Sequence, residues 1–404
     1  MESTLIENTV EGAVRAAKAY RCIGCGKCTG VCPVATHSDD FSPRLIVEEA
    51  LSGLGEAVLG DPRLWMCLGC GACRDRCQAD VDFPQLIRDL RIQARRRGFE
   101  GSLAHGGAAQ SLMRMMSRSN IKQRRLNWLS PGLRVSGDSD VLFFVGCLPY
   151  FDPLFRYTGA HSLNIARSTI RVLNYLGIEP VVLADERCCG QDLLATGDLD
   201  GFSRLAEHNL SAIKASGASL VVTACPECLV TLSTDYPKYA GRLGLEVVHI
   251  SQLLAREVTA KGLSLGHLDK KVTYQDPCRL SRHAGAYEEP RAVLSAIEGL
   301  ALVEMEHSGT RGVCCGTQSW MNCGAVSKAI QTDRLQEAVD TGASLLVTAC
   351  PKCQIHLKCA QQGAEPDGRP QPEVVDLMAL VARTISSRIT HQTEVSRCSK
   401  DSLG

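Results

Sequence analysis

Apolar positions recur at helical spacing in two stretches near the amino end, PRLIVEEALSGLGEAVL (43–59) and FPQLIRDLRIQARRRG (83–98), the second closing on Gly98. No alternating or β-branched run occurs between them, so the pattern predicts a mostly helical unit over residues 1–98. From residue 141 the pattern changes. Short β-branched runs (VLFFV, PVVLA, LVVTA and EVVHI, then VTY, LVE and LLVTA) alternate with amphipathic stretches such as HSLNIARSTIRVLNYLG (161–177). This alternation predicts α/β units whose loops sit at strand ends.

The second part of the chain repeats itself. GASLVVTACPEC (217–228) and GASLLVTACPKC (342–353) agree at ten of twelve positions, and a Cys-Cys-Gly triplet precedes each, at 188–190 and 314–316. A strand-like run ending in a single cysteine opens each copy, VLFFVGC (141–147) and KVTYQDPC (271–278). The expected architecture is an α+β multidomain chain. A helical unit over 1–98 precedes a basic linker or docking segment over 99–140. Two homologous α/β domains follow over 141–265 and 266–386, then a disordered tail over 387–404. Between Arg88 and Arg134 eleven Lys or Arg face only Asp89 and Glu100. That stretch is read either as a solvated helix and linker or as a Met-rich basic face docking on a partner protein or a membrane surface.

Composition narrows the function. Among 404 residues, 44 basic and 44 acidic side chains leave no net charge and no overall reason to bind nucleic acid. No apolar run approaches the roughly 18–20 residues that span a bilayer, so membrane contact is expected only through a partner. The start, MESTLIENTV, has neither a basic nor an apolar signal region. Cytoplasmic placement, peripheral to the inner face of the cell membrane, is the expectation. The 21 cysteines then point to metal or cluster ligation in a reducing compartment rather than to a disulfide scaffold.

The first eight cysteines form two runs. CIGCGKCTGVCPV (22–34) is C-x2-C-x2-C-x3-C-P, and CLGCGACRDRCQ (67–78) repeats the spacing with Gln78 in place of the proline. Such a run holds a cubane four-iron cluster with its first three cysteines and lends its fourth to the neighbouring cluster. The expected sets are Cys22, Cys25, Cys28 and Cys77, and Cys67, Cys70, Cys73 and Cys32. Zinc knuckles are the alternative, although two full runs exceed the four ligands that one zinc takes. The 34 residues between Cys32 and Cys67 leave room for an inserted helix. This segment resembles the α-helical ferredoxin domains of respiratory complexes. Through FSPRLIVEEALSGL and DPRLWMCLGCGACRDRC it also resembles the small ferredoxin component of heterodisulfide reductase.

Each repeated domain carries five more candidate metal ligands. They are Cys147, Cys188, Cys189, Cys225 and Cys228, then Cys278, Cys314, Cys315, Cys350 and Cys353. Five exceed the needs of one zinc or one cubane, and a vicinal pair can bridge two parts of an opened cluster. A Cys188–Cys189 or Cys225–Cys228 disulfide is the alternative. The pattern Cys, Cys-Cys-Gly, Cys-Pro-x-Cys resembles the cysteine-rich (CCG) domains of the heterodisulfide reductase family. The fusion of a ferredoxin unit to two such domains resembles its D-subunit branch, over about residues 20–385. The resemblance implies a noncubane four-iron cluster in each five-cysteine set, with a disulfide cleaved between the two. Cys323, Cys359 and Cys398 are left without a role.

That resemblance implies an oxidoreductase that works as one component of a complex. Two cubane clusters would feed paired noncubane clusters for reversible reduction of a small disulfide to thiols. Its partners would be flavin-containing or cytochrome b-type subunits, since the chain has no dinucleotide-binding glycine fingerprint. Cys189 and Cys315 are the candidate catalytic sulfurs. His283, five residues beyond Cys278, is either a proton donor to released thiolate or a structurally satisfied histidine. Arg279, Arg282 and Arg187 are open to two readings, anion binding or surface salt bridges. The alternative function is non-catalytic electron transfer within a flavin-dependent hydroxyacid or glycerol-3-phosphate dehydrogenase complex. That family shares the architecture.

Overall fold

A computed structural model describes residues 9–321, 323–363 and 369–385. The expected disordered tail and Cys398 lie outside the described residues. Two compact units divide the chain, and they cut across the boundaries drawn from sequence. The first joins Met1–Ile121, Arg187–His208 and Val313–Arg334; the second joins Lys122–Glu186, Asn209–Gly312 and Leu335–Gly404.

The first unit is helical over its cysteine runs. Pro43–Leu51 starts where Ser42 accepts the Leu45 N–H at 3.3 Å and Pro43 presets the first turn. The helix expected to run to 59 stops at Leu51 and resumes as Gly55–Leu59. Phe83–Arg96 is capped by Asp82, which accepts the Gln85 N–H at 3.0 Å, and it ends just before Gly98. Its apolar stripe of Leu86, Ile87, Leu90 and Ala94 is buried, but so are Asp89, Arg91 and Gln93 on its other faces. The helix is therefore enclosed rather than laid on a surface. The segment expected as a linker contributes the helix Ala108–Met116, whose Gln110, Met113 and Met116 are buried. One of its arginines, Arg114, is paired with Asp198 at 2.8 Å.

The second unit holds two all-parallel sheets. In chain order the strands are β1 (Val141–Phe144), β2 (Leu220–Thr223), β3 (Glu246–His249), β4 (His267–Gln275), β5 (Glu298–Leu302), β6 (Leu345–Thr348) and β7 (Glu373–Asp376). Their orders are β1-β2-β3 and β5-β4-β6-β7. Matching β1, β2 and β3 to β4, β6 and β7 superposes the two orders, which is the duplication read from the sequence. The expected PVVLA strand reduces to one parallel bridge, Leu142 to Val181, at the position that β5 fills in the second copy. Parallel strands covered on both faces need continuous apolar runs, and Leu142, Phe143 and Phe144 are all fully buried. One core spans both copies, with Phe143, Val222 and Val248 in the same cluster as Tyr274, Val347 and Val375. Phe143→Ala should remove about 3–5 kcal/mol of stability, read as a lower denaturant midpoint with an unchanged slope.

Candidate metal centres

In the first unit the two cysteine runs interleave. Cys22, Cys25 and Cys28 share an opening with Cys73 and Cys77, over a floor that includes Val81 and Phe83. Cys32 stands beside Cys70 and Cys67. Burial pushes its thiol up to about 12, and the two neighbouring sulfurs push in the same direction. Cys73 is raised well above an ordinary thiol, by burial first and then by Cys67, Cys70, Cys32 and Cys28. Each thiolate opposes ionisation of the next unless a cationic metal core lies among them. Backbone donors face the sulfurs: Gly69 N–H donates to Cys67 Sγ at 3.3 Å and Val81 N–H to Cys77 Sγ at 3.4 Å. Among the described residues, no three Cys, His, Asp or Glu side chains converge closely enough to chelate one ion.

The chemistry around the second run also suits an anionic cluster. Arg91 is 1% exposed, and its guanidinium donates to Leu64 O (3.0 Å), Cys67 O (2.8 Å), Ala195 O (3.2 Å) and Gln318 Oε1 (3.3 Å). Every one of these acceptors is a neutral oxygen. Burial pulls Arg91 down to about 10, and Cys67 is the charge that favours its ionised form. A buried cation without a carboxylate is costly, and a thiolate-bound iron–sulfur cluster carries the negative charge that offsets it.

Both vicinal pairs lie in the first unit, and Cys188, Cys189, Cys314 and Cys315 are all buried. The glycine after each pair is required by space. A Cβ on Gly190 would lie 2.7 Å from the Phe202 ring, and one on Gly316 would lie 2.8 Å from Ser327 O.

The remaining three cysteines of each set lie in the second unit, beyond the carboxyl ends of parallel strands. Cys147 follows β1, Cys225 follows β2, Cys278 follows β4 and Cys350 follows β6. This is where parallel α/β sheets place their ligands. Gly146, at φ +64°, carries the backbone against Cys228, so that a Cβ would stand 2.9 Å from its Sγ. Glu186 fixes that turn by accepting Val145 N–H (3.0 Å) and Gly146 N–H (2.7 Å). Arg125, beside Cys147, is buried in an ion pair with Glu186 and also donates to Gly146 O. In the second copy Asp276 accepts both Arg291 amines (2.9 and 3.0 Å) and Gly309 N–H (2.8 Å). All twenty cysteines among the described residues are free thiols, so the disulfide alternative is not formed there.

The other candidates of the sequence reading fall as follows. His283 bonds Cys278 O through its own N–H at 3.2 Å, and its Nδ1 lies 3.4 Å from Arg279 Nη1. Arg282 donates to Gly312 O. Arg187 donates to Met116 O (2.7 Å) and Arg118 O (2.8 Å), which makes it a backbone clasp. Three features escaped the sequence reading. One is the Arg125–Glu186 pair. Another is a buried ion pair between Lys352 and Glu227, the two variable residues of the Cys-Pro-x-Cys motifs. The third is His249, which lies against the backbone of Ala224 and Ala349, the residues preceding Cys225 and Cys350. The strand register Thr223↔His249 creates the first of these contacts, and no distance along the chain reveals it.

Residues 18–81 match the 4Fe-4S dicluster domain, and residues 141–233 and 272–358 each match the cysteine-rich domain named CCG. Over 319 residues, 76% of this chain and 75% of its relative, the sequence is 34% identical to the D-type chain of the dihydromethanophenazine:CoB--CoM heterodisulfide reductase of Methanosarcina acetivorans. The chain belongs to the heterodisulfide reductase D-subunit family. Its counterpart in Methanosarcina barkeri is 32% identical over the same shares. The B-type chain of the fumarate reductase (CoM/CoB) of Methanothermobacter marburgensis is 29% identical over 385 residues, 90% of this chain and 72% of that one. As a D-subunit homologue the chain is an iron–sulfur electron-transfer component of a redox complex with partner subunits. Among the described residues no helix is long and apolar enough to cross a membrane.

Two buried groups at matching strand ends shift in opposite directions. Burial lowers His249 to about 4 and raises Asp376 to about 7. For His249 the unfolded chain, titrating near 6.5, binds the proton that the native state refuses. Stability is therefore lost as pH falls from about 6.5 toward 4. Asp376 is protonated in the native state and ionised in the unfolded one, so its contribution is lost as pH rises from about 4 through 7. Over about pH 5.5–7.5 each contributes on the order of 1–2 kcal/mol, with opposite sign. Denaturant midpoints should vary little with pH in the parent. They should fall toward acid in Asp376→Asn and fall toward alkali in His249→Gln.

Proposed function

We propose that this chain reduces a small disulfide reversibly to two thiols, taking electrons singly from a flavin-containing or cytochrome b-type partner at the inner face of a membrane. The observation that carries the reading is the complete duplication: each copy has one cysteine at a strand end, a buried vicinal pair and a Cys-Pro-x-Cys turn. In this reading residues 1–98 hold two cubane clusters, one on Cys22, Cys25, Cys28 and Cys77, the other on Cys67, Cys70, Cys73 and Cys32. The domains at 141–265 and 266–386 hold a noncubane cluster each, on their five-cysteine sets. When bound, these clusters supply single electrons and iron open to a substrate sulfur.

The protein's own groups do the rest. Cys189 and Cys315 are the proposed catalytic sulfurs, and Gly190 and Gly316 let Phe202 and Ser327 pack directly against the backbone that follows each pair. The Arg125–Glu186 pair and the Asp276–Arg291 pair hold the loops that carry Cys147 and Cys278. The overall step takes two electrons and two protons per disulfide and yields two thiols. In this reading the imidazole of His283 delivers one of those protons; its backbone N–H bonds the carbonyl of Cys278, which ties the residue to the loop that carries that cysteine. The reading requires two half-sites near each other, so that the half-reduced sulfur does not escape before the second electron arrives. A second reading, electron transfer without disulfide chemistry, is supported by the relative named as part of a fumarate reductase.

Paramagnetic resonance of the anaerobic protein, with and without thiols, separates the two. A thiol-dependent signal absent in Cys189→Ser and Cys315→Ser supports cleavage. Full electron throughput with no thiol response in the parent assigns the chain to electron transfer alone. Cys32→Ser should abolish the cubane signal that Cys67→Ser abolishes, not the one lost with Cys22→Ser.

A further inference from the structure

The segments that follow the two vicinal pairs meet at one buried side chain of the ferredoxin unit. Arg91 holds the second cysteine run through Leu64 O and Cys67 O, while its Nη1 reaches Ala195 O at 3.2 Å and Gln318 Oε1 at 3.3 Å. Ala195 ends the short helix Gln191–Ala195 that starts directly after Cys188-Cys189-Gly190. Gln318 is three residues beyond Cys315. One guanidinium thus ties the second run to both Cys-Cys-Gly segments.

Packing around Arg91 supports the same link independently. Gly69, between Cys67 and Cys70, lies so close to Gln318 that a Cβ would come within 2.6 Å of its Nε2. Trp320 Nε1 donates to Asp192 Oδ2 at 3.1 Å, joining the two post-cysteine segments to each other. Ser319 and Trp320 both sit at left-handed φ, 52° and 56°, a conformation that non-glycine residues keep only when their surroundings hold it. Gln110 Nε2 to Ser319 O (2.6 Å) and Ala104 N–H to Trp320 O (2.7 Å) do so. The first run is different: Cys25 is exposed, with Ile23 69% and Tyr20 56% exposed beside it.

We infer that electrons enter this chain at the first quartet, where Cys25 is exposed, and leave the ferredoxin unit through the second quartet, where Cys67, Cys70 and Cys73 are buried, with Arg91 as the positioning residue of the exit. The inference rests on the reading of the cysteine sets as cluster ligands. Each step moves one electron: a one-electron donor is oxidised at the first quartet, and the second quartet is oxidised as a cluster beyond it is reduced. No bond or proton is exchanged. Arg91 acts twice. Its charge favours the reduced, more negative second cluster, and its fork holds the Cys67 carbonyl and Gln318 in one hydrogen-bonded relay.

The test uses the full-length, cluster-loaded protein with dithionite as donor. Resonance-monitored redox titration gives each cubane midpoint, and freeze-quench gives the rate at which the carboxy-terminal signals appear. Arg91→Met should shift the second quartet's redox equilibrium toward the oxidised form about tenfold, about 59 mV for one electron. The first quartet should stay unmoved, and the later signals should appear at least tenfold more slowly. Arg91→Lys should restore the midpoint but not the rate. Equal shifts in both quartets, or normal rates at normal iron content, overturn the assignment. If Arg91→Met fails to load, Gln318→Leu decides: slower appearance at unchanged midpoints supports the exit, and an unchanged rate overturns it. Failure to cleave disulfides with these internal rates as expected would remove the proposed function and leave the exit standing.

Discussion

The thiols of Cys32, Cys67, Cys70 and Cys73 stand close enough that each raises its neighbours' affinity for protons, and they do so in a setting from which water is largely removed. Bare thiolates could not be held this way. Opposite charge would make the gathering tolerable, from an iron–sulfur core held on these sulfurs as proposed and from the cation that the chain places behind them. Arg91 is fully enclosed and donates only to neutral oxygens. Its burial and the burial of the sulfurs are two costs that cancel only together. The helix Phe83–Arg96 is enclosed on its polar faces for this reason: it is the element that delivers the cation.

The second unit meets the same constraint with a different device. Parallel strands end in register, and their carboxyl ends release loops that converge without needing long side chains. Each copy then clamps its first loop with a carboxylate and an arginine. The partners are not homologous in position: Glu186 reaches back from after the Val181 bridge, whereas Asp276 lies two residues before its own cysteine. The duplication keeps a carboxylate–arginine pair at the loop and lets the residues that form it drift: Glu186 accepts the N–H groups of the Cys147 turn, whereas Asp276 accepts that of the distant Gly309. Gly146 and Pro277 show the same drift at the position before the cysteine.

Much of this was legible in the chain. Cysteine spacing is the ground for the proposed exchange of fourth ligands between the two runs, because such a run holds one cube with three sulfurs and lends its last to the neighbour. Short β-branched runs alternating with amphipathic stretches announce the α/β units. What could not be read is whatever depends on contact between distant segments. Arg91 looks like one more charge in a basic stretch, and Arg125 looks like part of a linker; each is buried by segments more than sixty residues away. His283 drew notice for its nearness along the chain to Cys278. His249 abuts the residues before two cysteines because β3 lies beside β2. Local periodicity also overran at Ser52, where a helical pattern continues but the backbone breaks.

The Glu227–Lys352 pair shows how far the two copies have become one object. These residues occupy the same place in Cys-Pro-x-Cys, at almost identical surroundings in sequence, yet carry opposite charges and meet in a buried ion pair. Had both copies kept Glu or both kept Lys, two like charges would face each other away from water, a far larger penalty than any surface repulsion. Either copy folded alone would leave its charge without a partner in the same apolar setting. An ion pair of this kind adds little net stability over a well-packed apolar pair, but it does reject every arrangement in which the charges fail to meet. The pairing therefore selects one relative placement of the two Cys-Pro-x-Cys turns. A reaction that needs two sulfur sites at a fixed separation requires that of a duplicated scaffold, and sequence identity between the copies would have denied it.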